Sequence, residues 1–389
     1  MARDTWDFAR GAVGKALNGV QNVTRKSLDS VGKMLDSLID LAFLPMKLAR
    51  AAWKFEQGQK PFDDLLKETE EAKKDLERAL DVMTQAHPPT QDEQLLIAKL
   101  CLLASRCVYL QNAPCPKDAQ GHEMFPDVRI PGITGDYGVA IAKLASRWGM
   151  SYFPITGPEG TTGLDIPYLG LFYRYKTNEQ KPLLIFAFRG TVTEKEWIRD
   201  YRVLPKLSYD YWFGSEIHSG FCTGLLEAMP WIRDFVHAMP NKDPNTPVYY
   251  TGHSLGGAYA TLLAANLLVN STLGEKRAKA PAVAFKGLYT FGSPRVGNKI
   301  FMKAFEAARA EYPTGKPDVL RFVDGDDIVT KMPPLSMGYR HVGLKVPISK
   351  AHPTGFLKKI IFHMFKFYIT DHFDSSYWQA LKDTIKTRK

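Results

Sequence analysis

Gly252-His253-Ser254-Leu255-Gly256-Gly257 stands between a run of valine and tyrosine and a run of alanine and leucine. Residues 248–251 read as a buried strand and residues 258–268 as a helix, so the serine falls on the turn joining them. A glycine two positions to either side makes the G-x-S-x-G elbow. Such a turn is too tight for a Cβ at either glycine, and its strain lifts the serine hydroxyl clear of the backbone. A serine so presented suits attack on a carbonyl carbon. It is inert at neutral pH without a base, and the base needs a third group to fix its tautomer.

The elements that must position these groups alternate along the chain. Strands are expected at 183–188, 248–251, 287–291 and 319–323, with helices at 221–238, 258–268 and 299–312. Strands separated by helices imply a mostly parallel sheet with helices on both faces, and ligands meet such sheets at the carboxyl ends of the strands. The first acidic cluster after Ser254 is Asp324-Gly325-Asp326-Asp327, directly beyond the strand at 319–323. In the α/β-hydrolase arrangement the serine, acid and histidine follow in that chain order, which leaves His341, His352, His363 and His372 as candidates for the base. His341 lies in a turn 14 positions past Asp327, His352 precedes a proline, and His363 falls in a basic amphipathic segment. His372 stands at a helix-to-loop junction before Phe373-Asp-Ser-Ser-Tyr377.

From about Ala140 to Tyr377 the chain resembles the class 3, fungal-type lipases of the α/β-hydrolase superfamily. The resemblance rests on Phe188-Arg-Gly-Thr191 with Trp197 and Asp200 beyond, and on His218-Ser-Gly-Phe221. Thr251-Gly-His-Ser-Leu-Gly-Gly257, Phe291-Gly-Ser-Pro-Arg-Val-Gly297 and the segment Arg321 to Pro334 complete it. It implies that Ser254 is the nucleophile. It selects Asp327, followed by Ile328-Val329 and Pro333-Pro334, over Asp324 and Asp326 as the acid. The family's Asp-His pair before an aromatic selects His372 as the base. By the same carry-over the oxyanion donors are the backbone N–H of Leu255 and Thr191, and residues 192–205 match the family's lid. There Trp197, Ile198 and Tyr201 would form one apolar face. The family carries no metal or cofactor at this site, and no ligand cluster here contradicts that. His253 and His218 read as packing and loop-ordering residues, and Arg189 and Asp200 as a structural pair.

The bulk of the chain bounds the rest. At 389 residues, 45% hydrophobic and 24% charged, it holds one large α/β domain plus an extension. The division expected is a basic amphipathic helical segment at 1–55, a helical hairpin region at 56–125 and the α/β-hydrolase domain at 126–389. The hairpin would begin at Pro61, stop at Pro88-Pro89 and continue as a buried helix over 93–110. Gly157-Pro-Glu-Gly-Thr-Thr-Gly163 lacks the Gly-Lys-Ser/Thr ending of a phosphate loop and reads as a turn between strands.

The net charge of +10 is confined to the ends. Residues 1–55 carry nine Lys/Arg against five Asp/Glu, and residues 342–389 carry nine against three. Apolar stripes at Val13, Leu17, Val20, Leu28, Val31, Leu35 and Leu38, and again over 356–368, accompany that charge. Basic amphipathic ends point to a peripheral membrane or lipid-droplet surface rather than to nucleic acid. The four cysteines have no C-x-x-C or metal spacing and suit a reducing compartment, and the opening residues carry no cleavable signal. The expected place is the cytoplasm or a membrane face, with export needing a signal-less route.

The resemblance implies a serine carboxylester hydrolase that cleaves fatty-acyl esters of glycerolipids at an interface. A phospholipase A1 acting on membrane phospholipids, used as a delivered toxin, is a second expectation. A retired lipase domain serving as a membrane-binding scaffold is a third.

Overall fold

Leu183 to Phe188 offers no polar side chain to solvent, a pattern that demands cover on both faces. In the computed structural model it is strand β3 (Leu183–Phe188), buried at every position. The structure describes residues 59–112, 138–155, 169–175, 177, 180–190, 205–207, 215–218, 245–272, 284–325, 327, 329–349 and 374–387, with scattered positions between 221 and 232. All of them fall in one compact unit, Phe55–Lys389. The stripe at 13–42, the turn at 157–163, the lid segment up to residue 204 and the helix expected at 356–368 lie outside the described residues.

A seven-stranded sheet runs β1 (Ser151–Ile155), β2 (Leu169–Arg174), β3, β6 (Pro247–His253), β7 (Ala284–Phe291), β9 (Asp318–Val323) and β11 (Leu344–Pro347). Strand β2 runs antiparallel to both its neighbours, β1 and β3. From β3 onward every pairing is parallel. A smaller antiparallel sheet joins β4 (Pro205–Leu207), β5 (Glu216–His218), β8 (Gly297–Asn298) and β10 (Tyr339–Arg340). The four strands expected from the sequence are all present in the parallel part.

Strand periodicity of two sends alternate residues into two cores. Leu183, Ile185, Ala187, Tyr249, Leu320 and Phe322 enter one. Leu184, Phe186, Phe188, Val248, Tyr250 and Val319 enter the other. Helices α4 (Leu255–Thr272) and α5 (Lys299–Ala310) cover the second core, joined by the helical positions Phe221, Leu225 and Ile232. Helices α1 (Gln59–Met83), α2 (Gln91–Cys107), α3 (Val139–Arg147) and α6 (Asp374–Lys386) cover the first. Helices therefore lie on both faces, as the alternating pattern requires.

Helix α6 corrects one expectation. The sequence pattern predicts a loop after residue 372, whereas a helix begins at Asp374. Its apolar stripe is short: Tyr377, Trp378, Leu381 and Ile385, all buried. Only the groove that receives it makes so brief a pattern decisive.

Helix α2 starts on a capping box, with the Thr90 side chain accepting from the Glu93 N–H and Glu93 returning to the Thr90 N–H. Thirteen of its seventeen residues are buried, including Lys99 and Arg106. Cations so placed must be paired or they cost several kcal/mol. Lys99 meets Asp75 of α1 at 2.8 Å, and Arg106 donates to Glu68 of α1. Both cations also lie 5.6 Å from the ring of Trp378, so α1, α2 and α6 are fixed in register by one cluster. Replacing Arg106→Ala strands the Glu68 carboxylate and uncovers Trp378. Denaturant unfolding should show a loss of about 3 kcal/mol; a loss below about 0.5 kcal/mol, the level of an exposed pair, would contradict this account.

Candidate active site

The turn that carries Ser254 is set by contacts closer than any side chain allows. A Cβ on Gly252 would lie 2.2 Å from the carbonyl carbon of Gly256, and one on Gly256 would lie 2.2 Å from the carbonyl oxygen of Phe188. Strand β6 therefore reverses directly into α4, and the first turn of α4 presses on the end of β3. Ser254 takes the strain, with φ +57°, a left-handed conformation that costs a non-glycine residue of order 1–3 kcal/mol. Its N–H donates to the Phe291 carbonyl at 2.8 Å, and its own carbonyl accepts from Gly257 at 3.0 Å. Leu255 is the first residue of α4, where backbone N–H groups have no intrahelical acceptor. The end of β3 that supports this turn leads through Arg189 and Gly190 to Thr191, which itself lies outside the described residues.

Asp327 lies past the end of β9, two strands from the elbow, and has no exposed surface. Its Oδ1 accepts from the Val329 N–H at 2.9 Å and its Oδ2 from the Tyr377 hydroxyl at 2.7 Å. Its carbonyl takes the Thr330 hydroxyl at 2.8 Å. Asp324, the rejected alternative, is committed elsewhere, accepting from the hydroxyls of Ser349 and Ser376. The start of α6 is thus docked on the acidic loop at two points, Ser376 on Asp324 and Tyr377 on Asp327. The loop after β7 is tied to the chain beyond Asp327 by Arg295, whose N–H donates to the Met332 carbonyl at 2.7 Å and whose guanidinium donates to that of Pro333 at 2.6 Å.

His372 stands two residues before α6 in the sequence and lies outside the described residues, as do Trp197, Ile198, Tyr201, His352, His363 and Asp200. The described histidines are otherwise engaged. His341 donates from Nε2 to the Thr330 carbonyl at 2.7 Å, and burial with the nearby Arg321 pushes its pKa down to about 3. His218 stacks on Phe221 at 4.0 Å between centroids, and burial lowers its pKa to about 4. His253 bonds through Nδ1 to the Tyr109 hydroxyl at 2.9 Å and meets the Tyr377 ring edge-on at 5.7 Å. The reading of His253 and His218 as ordering residues agrees with these contacts. Sequence reasoning missed Tyr377 and Tyr109. Tyr377 was near enough to His372 to be noticed, but nothing in the chain pattern marks Tyr109.

A mostly parallel sheet with a strained serine at a strand-to-helix elbow and a buried aspartate beyond a later strand defines the α/β-hydrolase fold. Within it, residues 185–337 match the family described as Lipase (class 3), and the resemblance carried by the motifs is shown over that stretch. The match includes Ser254 and Asp327 and ends before His372. The chain is 33% identical over 166 residues to a secreted mono- and diacylglycerol lipase 1 of Fusarium solani, covering 42% of this chain and 44% of that protein. It is 31% identical over 175 residues to a lipase of Rhizomucor miehei, covering 45% and 44%. The chain thus spans less than half the length of these curated relatives. The solved Rhizomucor miehei lipase propeptide complex aligns at 22% identity over 67% of this chain and 70% of its own, with a TM-score of 0.44.

Buried His218 and half-buried His341 make stability depend on pH. Their folded pKa values lie below the unfolded value of about 6.5, so the unfolded chain binds protons that the fold excludes. Their contribution is complete above that value and shrinks as pH falls toward 4. Each should steepen the fall in unfolding free energy by about 1.4 kcal/mol per pH unit near pH 5. Unfolding titrations of the wild type and His218→Phe should differ by one such increment; identical slopes would refute the assignment.

Proposed function

We propose that this protein is a serine carboxylester hydrolase, a lipase, that cleaves fatty-acyl esters of glycerolipids at a lipid interface. The observation that carries the reading is Ser254 at φ +57° on the elbow, with Leu255 opening α4 behind it. In this mechanism His372 takes the proton from Ser254 Oγ as that oxygen attacks the ester carbonyl carbon. Asp327 orients the imidazole and stabilises the imidazolium. Two hydrogen bonds from Val329 and Tyr377 suit that task, because they hold the carboxylate in one rotamer without supplying a counter-charge. The N–H groups of Leu255 and Thr191 receive the oxyanion, an interaction worth about 10²–10³ in rate per donor. Collapse of the tetrahedral intermediate passes the proton from His372 to the leaving alkoxide, and water then releases the acyl group by the same route.

The relatives support the glycerolipid substrate class, since one is a mono- and diacylglycerol lipase and another a lipase. A second reading, phospholipase A1, is favoured by the basic ends, with net charges of +4 over 1–55 and +6 over 342–389. These ends would gather the protein on anionic membrane, each lysine or arginine near the surface contributing about 1 kcal/mol. A fluorophosphonate probe should label the full chain, and Ser254→Ala should abolish both labelling and hydrolysis. Unlabelled, inert wild-type protein would favour the scaffold reading instead. Comparing acylglycerols with anionic and zwitterionic phospholipids then separates lipase from phospholipase.

Residues 192–205, with Trp197, Ile198 and Tyr201 on one face, are proposed as a lid that rolls its apolar side onto lipid. Trp197→Ala should reduce turnover of emulsified substrate at least tenfold more than that of a soluble short-chain ester, roughly the cost of losing one buried aromatic contact at an interface. Equal losses on the two substrates would exclude the lid.

A further inference from the structure

The oxyanion donors assigned above come from two separate strand ends, Leu255 after β6 and Thr191 after β3. Their spacing must be held to a few tenths of an ångström for both to reach one oxygen. The backbone packing of Gly256 on Phe188 sets part of that spacing. A side chain from outside the family-matched stretch sets another part. Tyr109 sits on the short 3-10 turn Val108–Asn112 that ends α2. Its hydroxyl is 2.9 Å from Nδ1 of His253, the residue preceding Ser254. The same hydroxyl occupies the space beside Gly190, the residue preceding Thr191. A Cβ on Gly190 would lie 2.0 Å from that oxygen and 2.9 Å from the His253 carbonyl oxygen.

We propose that Tyr109 is a positioning residue for the ester-cleaving reaction, its hydroxyl wedged between Gly190 and His253 so as to set the gap between the two oxyanion-bearing strand ends. The inference rests on the hydrolase reading of Ser254. Three further contacts make the wedge stiff. Its base is anchored, because Ser105 of α2 meets Thr251 Oγ1 at 3.0 Å, and Thr251 donates to the Cys101 carbonyl at 3.2 Å. Its far side is backed, because the His253 ring lies edge-on to Tyr377, 5.7 Å between centroids. Tyr377 in turn donates to Asp327. A phenol has only two side-chain torsions, so a tyrosine rooted on the turn that ends a buried helix transmits that helix's position to its hydroxyl. The glycine at 190 is required for the hydroxyl to enter, which ties the family's Phe-Arg-Gly-Thr stretch to a residue far upstream of it.

The test compares full-length wild type, Tyr109→Phe, Gly190→Ala and the double variant. Tyr109→Phe keeps the ring and removes only the wedge oxygen with its bond to His253, so the melting temperature should fall by only about 2–4 °C, as for one lost hydrogen bond. Its kcat on a soluble short-chain ester should fall about 10–100-fold with KM nearly unchanged, the range expected for a misplaced oxyanion donor. The rate at which a fluorophosphonate labels Ser254 should fall in parallel, since that reaction also builds charge on the bound oxygen. Gly190→Ala should cost more in wild-type background than in Tyr109→Phe, because there the new methyl meets the hydroxyl. Wild-type labelling and kcat in Tyr109→Phe would overturn the proposal, as would equal costs of Gly190→Ala in the two backgrounds. If wild type itself is neither labelled at Ser254 nor active, the hydrolase reading has failed and the wedge with it.

Discussion

The approach of α4 to the end of β3 is the constraint on which the site depends. With 2.2 Å between a Gly256 Cβ position and the Phe188 carbonyl oxygen, the backbone itself is the contact surface. No side chain intervenes, so nothing there can change rotamer and loosen the turn. The strain of a left-handed serine is sustained because the strand before it and the helix after it are both buried and cannot yield. A loop of the same sequence in solvent would relax.

What the elbow does for Ser254, α6 does for Asp327. A fully buried carboxylate needs donors, and here one comes from its own loop and one from a helix fifty residues further on. The next residue of that helix, Trp378, packs its ring against the cations Lys99 and Arg106, which hold α6 to α2. The helical segment before the sheet is therefore not an appendage to it. It shares the core beneath β3, β6 and β9, anchors α6 and places Tyr109 beside the elbow. The electrostatic cost of burying two cations there is offset by acids on α1, which is why α1 and α2 must pack as a pair.

Much of this was legible in the chain. The parallel strands announce themselves as short apolar runs between helical patterns, and β3, β6, β7 and β9 all fall where those runs stand. Gly-x-Ser-x-Gly could be read because its signal is local, two glycines spaced about one serine, although the Phe188 carbonyl that bars a side chain at Gly256 lies far upstream. The small four-stranded sheet and α6 were not legible, since their patterns are short or lack flanking signals, whereas the turn read at 157–163 implied strands on either side of it, where β1 and β2 stand. Choosing among Asp324, Asp326 and Asp327 needed family resemblance, because three carboxylates in four residues look alike until their donors are known.

Sequence alone determined where strain would fall and which residue types surround it, because glycine spacing and strand-helix alternation act over a few neighbours. Tertiary structure alone decided which acid is held by Tyr377, that His341 and His218 are spent on packing, and that Tyr109 enters the gap at Gly190. Those contacts join residues 11 to 144 positions apart or depend on burial. A hydrogen bond across such a distance leaves no periodic trace in the chain, so only the packed helices and sheet bring its two ends together.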